Sequence, residues 1–240
     1  MNRFAIAMAF AVLALSAGKA EAADGSISSG PASVGSSSTS GWVLNGSNLG
    51  VGRNAFLAEV GWPGLNLTLL HGQSDRLDIG GTFSFTYGLE GVPDIAPGMK
   101  LNAVLRLNLA DTPKYNVGLR VSPGVVTYFP TRGVYRWYFN GWHDSNVMFG
   151  LQIPVELVTG ILVTSSLSIN LGISMPMTLF FVPDFSFLFP VQPGFGIEYK
   201  VDSSLTITFD NRFGPSIFMV PGGSEAHFGF RSLVGIAFKF

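Results

Sequence analysis

Few side chains in this sequence have the types and spacing that chemistry requires. Histidine occurs three times, at His71, His143 and His227. His143 stands between Trp142 and Asp144, which suggests a base beside a carboxylate and hence hydrolysis. Adjacent residues do not readily form the hydrogen bond by which a carboxylate orients a base, and no second carboxylate stands nearby in sequence. There is no cysteine, which removes thiolate nucleophiles, thiolate metal sites and disulfides. No phosphate-cradling glycine loop, zinc spacing or nucleophile elbow is present. The sequence thus presents no catalytic set, no cofactor site and no metal site, and the reading is of a protein that is not an enzyme.

The other reactive side chains are charges, and these are scarce. Of 240 residues 47% are hydrophobic and only 12% charged, with a mean hydropathy of +0.38. Soluble domains carry about 25% charged residues, so something other than water faces much of this surface. A net charge of −1 provides no basic field to recruit nucleic acid. The 30 glycines and 21 phenylalanines fit closely spaced strands with aromatic faces better than helices.

The charges are placed by strands. From Ala55 to Phe240 apolar residues recur at every second position, the signature of strands with one face in an apolar medium. The opposite faces carry seven basic residues, Lys100, Arg106, Arg120, Lys200, Arg212, Arg231 and Lys239, and five acidic ones, Glu59, Asp78, Glu156, Glu198 and Asp210. The apolar faces carry no charge. A soluble sandwich would turn its charges outward, whereas a lipid-facing Lys or Arg near mid-bilayer costs about 2–4 kcal/mol. The alternation predicts an all-β, antiparallel, up-and-down barrel of about ten strands, with eight or twelve as neighbouring counts, and with these twelve charges in its lumen. Many strands approach the ~9–11 residues that a tilted β-strand needs to cross a bilayer. Pro154, Pro176, Pro190, Pro193 and Pro215 fall within or near strands and predict local irregularity, because proline gives the ladder no donor.

The last stretch, His227 to Phe240, alternates throughout and closes on Phe238-Lys239-Phe240. A terminal Phe on such a strand resembles the assembly signal of bacterial outer-membrane β-barrels. The resemblance implies an outer-membrane location, contact with lipid, and insertion by a barrel-assembly machinery that reads Phe238 and Phe240. It implies no substrate. In that class the termini lie in the periplasm, so even-numbered connections are tight, as they are near Gly72–Asp75, Asp111–Pro113, Thr159–Thr164 and Asp202–Ser204. The longer connections, Gly88–Gly98 and Phe129–Asn146, then lie outside. Ten-stranded outer-membrane proteases use Asp and His at their outer rim, which keeps a rim hydrolase near His143 as a third reading.

The chain divides into a signal peptide at 1–22, a Ser/Gly-rich flexible lead at 23–54 and the barrel at 55–240. Arg3, the apolar run Phe4–Leu15 and Ala20-Glu21-Ala22 have the layout of a cleaved secretory signal, and the apolar run is shorter than the ~20 residues of a spanning helix. The lead lacks both apolar residues for a core and charges to pair with a lumen. Functionally the barrel reads as structural, or as a narrow, weakly anion-preferring pore for small polar solutes. An alternative is a surface receptor or adhesin acting through the long loop, where Arg132, Tyr135, Arg136, Trp137, Tyr138, Trp142 and His143 cluster. Those aromatics also suit an interfacial belt. Cleavage is expected before Ala23: mass spectrometry of membrane-extracted protein should find Ala23 first, and retention of Met1 would refute the assignment.

Overall fold

The computed structural model describes residues 41–44, 46–92, 95–129 and 147–240. The strands are β1 (Asn54–Trp62), β2 (Gly64–Gly72), β3 (Leu77–Gly88), β4 (Ile95–Asp111), β5 (Tyr115–Val121), β6 (Gly124–Tyr128), β7 (Met148–Leu162), β8 (Leu167–Val182), β9 (Ser186–Pro190), β10 (Gln192–Lys200), β11 (Leu205–Val220) and β12 (Gly223–Lys239). All pairings are antiparallel: β5 and β6 both lie between β4 and β7, β9 and β10 both lie between β8 and β11, and β12 returns to β1 with Phe56 opposite Phe238 and Trp62 opposite Ser232. Backbone bonds between Asn54 and Phe240, both 2.8 Å, fasten the seam at its end. β5 with β6, and β9 with β10, are two halves of single barrel strands, so the twelve segments make a closed barrel of ten.

The even-numbered connections, at 73–76, 112–114, 163–166 and 201–204, are all tight and lie at the end that carries the seam's Asn54 and Phe240. In the last of these, Asp202 accepts from the Ser204 and Leu205 amides and the Ser204 hydroxyl. These donors hold its carboxyl below the ordinary range. The outside of the wall is apolar: Phe56, Leu69, Leu101, Leu151, Ile207, Phe213, Val234 and Phe238 are all exposed. Buried polar residues face the lumen on every long strand. A closed sheet with no edge, apolar outside and polar inside, satisfies what hydrocarbon demands of a spanning protein. It is the architecture of the bacterial outer-membrane β-barrel class.

The prolines cause the two strand breaks. Pro154 on β7 stands opposite Pro176 on β8 without a register shift. In an antiparallel ladder each residue directs both backbone groups to one side, and opposed residues alternate between bonding each other and facing away. Pro154 accepts from the Ser122 amide (2.9 Å), so its donorless nitrogen points at the junction of β5 and β6. The Ser122 carbonyl that would have received that donor is instead met by the Asn102 side-chain amide at 2.7 Å. Pro176 faces the other way, towards the junction of β9 and β10. There pairing stops between Ser174–Gln192 and Thr178–Leu188, because Pro190 can donate no more than Pro176. Asn102→Leu should therefore strand a buried carbonyl and cost about 1–3 kcal/mol. Pro154→Ala, which restores the donor, should remove most of that cost when the two are combined. Urea titrations of the four variants in detergent would check this, and an equal cost in both backgrounds would contradict it.

Candidate functional site

The candidate site is the lumen, which the chain occupies at three levels. At the end bearing the termini lies part of the segment expected to be a flexible lead. Residues 41–44 and 46–50 lie inside the barrel, with Trp42, Val43 and Leu49 buried beside Ala55, Leu57, Leu70, Val104 and Ala237. For its described part, the lead is thus a lumen plug. Its main chain supplies the pairing that its side chains lack. Glu198, 1% exposed, accepts from the amides of Trp42 (2.8 Å), Val43 (3.0 Å) and Leu44 (2.6 Å). The Leu49 amide donates to Asp78 at 3.2 Å. The Gly46 amide donates to Asn116 Oδ1 (2.9 Å), whose amide in turn donates to Ser47 Oγ (3.0 Å). Arg106 Nη2 donates to the carbonyls of Trp42 (2.8 Å) and Ser47. Lys239 lies 5.6 Å from the centre of the Trp42 ring. Gly46 and Gly118 touch backbone to backbone, and a Cβ on either would collide with the other.

The middle level is ionic. Arg231 reaches Asp210 (2.7 Å), Glu156 (2.8 Å) and Glu90 (3.5 Å). Lys100 pairs with Glu90 at 2.7 Å, and Arg212 Nε with Asp210 at 3.0 Å. Gln152 and Ser174 donate to Glu90 and Glu156. Glu59 is buried on the β1 wall, with Asn66 Nδ2 at 3.5 Å. These groups surround a cavity of about 90 Å³.

The far level is apolar. Val126, Tyr128, Met148, Phe180, Leu188 and Phe218 point inward and are joined by Leu89, Val92 and Ala96. Leu89 and Val92 come from the β3–β4 connection, which lies at the expected end, opposite the termini, and folds into the mouth. Gly91, with φ +89°, makes the turn, rests on Gly229 and accepts from the Ser216 hydroxyl. The same connection carries Glu90 into the ionic level. Burial pushes its carboxyl up, but Lys100 and Arg231 outweigh that and hold it below the ordinary range.

Each of the twelve charges assigned to the lumen lies on an inward position. Glu59, Asp78, Lys100, Arg106, Glu156, Glu198, Asp210 and Arg212 are buried, while Arg120, Lys200, Arg231 and Lys239 are half-buried. Glu90 was missed, although Leu89 and Val92 around it mark a connection too apolar for solvent. Phe238 and Phe240 are exposed on the outside of the seam. Arg132, Tyr135, Arg136, Trp137, Tyr138, Trp142 and His143 lie outside the described residues. Among the described residues, no three His, Asp or Glu side chains gather as metal ligands would.

No protein-family model matches the chain, and no curated protein matches it in sequence. Among solved structures, the outer membrane protease OmpT from Escherichia coli aligns with 78% of this chain and 96% of its own, at 10% identity and a TM-score of 0.41. Arg231→Leu would leave Asp210, Glu156 and Glu90 without their shared cation and should cost about 3–5 kcal/mol. Adding Glu90→Gln should recover part of that loss in a refolding titration, and a neutral Arg231→Leu would show that the network is dispensable.

Proposed function

We propose that this chain serves as a closed structural barrel of the bacterial outer membrane rather than as a standing pore. One observation carries the reading: the described chain fills its own lumen at three levels, with plug, ionic layer and apolar seal in series. Barrels of about eight strands have interiors just wide enough for side chains, and open porins have about 16–18. Ten strands, with a segment of chain threaded inside, stand at the filled end of that range. Export with a cleaved signal, insertion by the assembly machinery through Phe238 and Phe240, and lipid as the surrounding partner belong to the same proposal. No catalytic role is assigned.

A narrow pore for small polar solutes is favoured only by the mid-lumen cavity, and would require both the plug and the 89–92 connection to move. A receptor or a rim hydrolase would act through the 129–146 loop, so deleting that loop would abolish either activity and leave a structural barrel assembled. Single-channel recording on refolded full-length protein should show no steady conductance above the lipid baseline. Sustained open channels would overturn the proposal in favour of the pore.

A further inference from the structure

The sheet closes along the seam of β1 and β12, but the wall above that seam is not of even height. β1 and β2 end at the Trp62-Pro63-Gly64 turn, whereas β12 runs nine residues past Ser232, the partner of Trp62, to Gly223. On the other flank β3 reaches Gly88, opposite Ile95 of β4. Between the flanks is a notch two strands wide, about 14 Å from β12 to β3, with the turn as its floor. The Trp62 ring lies across that floor. It stacks on Phe230 at 5.7 Å, meets Tyr87 edge-on at 5.9 Å and covers Gly88. Tyr87 donates its hydroxyl to the Gly61 carbonyl.

Along this notch β12 is an open edge. The Phe240 amide and carbonyl both bond Asn54 at the start of β1, and Lys239 donates to Ser204 on the β11 side. The ladders run from there to Gly223 without a register shift. Even-numbered residues of β12 therefore turn their backbone groups towards β1. Above Ser232 these are Phe230, Phe228, Ala226 and Ser224, and no described backbone group bonds them on that side.

The depth of the notch decides what fills it. The steps from Asn54 to Trp62 raise a strand tilted ~40° by about 20 Å, whereas a barrel's apolar band is about 25 Å tall. Across the barrel, exposed apolar residues on β7 run from Ile161 to Phe149, which is about 30 Å. The notch thus opens below the top of the band, with the exposed Phe230 and Phe228 in its last ~5 Å. Hydrocarbon cannot satisfy their amides and carbonyls. Nor can a second copy. Barrels of one orientation are related by an axis along the membrane normal, so two β12 strands tilted ~40° would cross at about 80° and form no ladder. Lipid headgroups with their water supply both donors and acceptors, and Trp62 and Tyr87 are residue types that settle at headgroup level.

We infer that the notch over Trp62 is a docking site for lipid headgroups, where the outer leaflet dips to meet the open edge of β12. The bilayer is thinner beside the seam than around the rest of the wall. The inference rests on insertion of the barrel in a membrane and not on closure of its lumen.

Nitroxide labels test it, because the chain has no cysteine to compete. Phe228 stands twelve residues from Phe240, and Leu151, across the barrel, eleven from Leu162 at the same end. Full-length protein carrying Phe228→Cys or Leu151→Cys would be labelled and refolded into vesicles of phosphatidylcholine with 14-carbon chains. A water-soluble nickel complex should relax the Phe228→Cys label more than oxygen does, and oxygen should dominate at Leu151→Cys. Should Phe228→Cys fail to insert, Tyr87→Cys on the other flank of the notch is read in the same way. Oxygen dominance on both sides of the barrel would place the notch in hydrocarbon and overturn the inference. A notch label immobile and shielded from both relaxants would show protein paired with the edge, and would overturn it too. Water exposure at Leu151→Cys would remove membrane insertion itself, and the inference with it.

Discussion

A backbone group inside hydrocarbon must find its partner within the protein, and every larger feature here answers to that constraint. It closes β12 onto β1, because an open edge would face lipid with unpaired amides. It fixes parity along each strand, because a slip of one residue would exchange phenylalanines for arginines. It also governs the prolines. Pro154 and Pro176 are opposed where neither owes the other a hydrogen bond, so the ladder between β7 and β8 runs through them unbroken. The deficit passes to the outer neighbours, which break at Ser122-Pro123 and at Val191, and Asn102 covers the one carbonyl shown to need it.

Inside the wall the problem is the reverse, since twelve or more charges are carried into a lumen that the chain itself largely fills. The barrel meets it in two ways. In the middle, Arg231 collects three carboxylates; Lys100 and Arg212 supply a second cation to two of them, Glu90 and Asp210, and the Ser174 hydroxyl donates to the third, Glu156. Near the termini the partner is main chain. Three consecutive amides converge on Glu198 and two plug carbonyls on Arg106, which satisfies charged groups with dipoles that carry no net charge. Such charge-assisted bonds are stronger than neutral ones.

That second device explains what the sequence concealed. Alternation exposed the fold, the faces and the inward charges, because a lipid-facing strand admits no exceptions and the pattern repeats ten times. The prolines announced irregular strands but not which strand would break, since the break falls on neighbours chosen by register. A plug is rejected on the sequence because composition counts side chains. A Ser/Gly-rich segment without charges looks unfit for an ionic lumen, yet Trp42, Val43, Leu44, Gly46 and Leu49 bind it through amides that every residue but proline owns. The connection at Gly88–Gly98 lies at the end that parity assigns it, but its inward turn was not foreseen, although Leu89 and Val92 already had the character of a seal.

The central claim is that residues 41–44 and 46–50 are seated inside the folded barrel, and the absence of cysteine from the chain makes it directly measurable. Leu49 is 2% exposed, and Val51, two residues on, is 63% exposed. With a single cysteine at each position in turn, a membrane-impermeant maleimide should label Val51→Cys rapidly in the folded protein. Leu49→Cys should remain unmodified until urea unfolds the barrel. Equal labelling of the two in the folded state would contradict the account and leave the lumen open at that end.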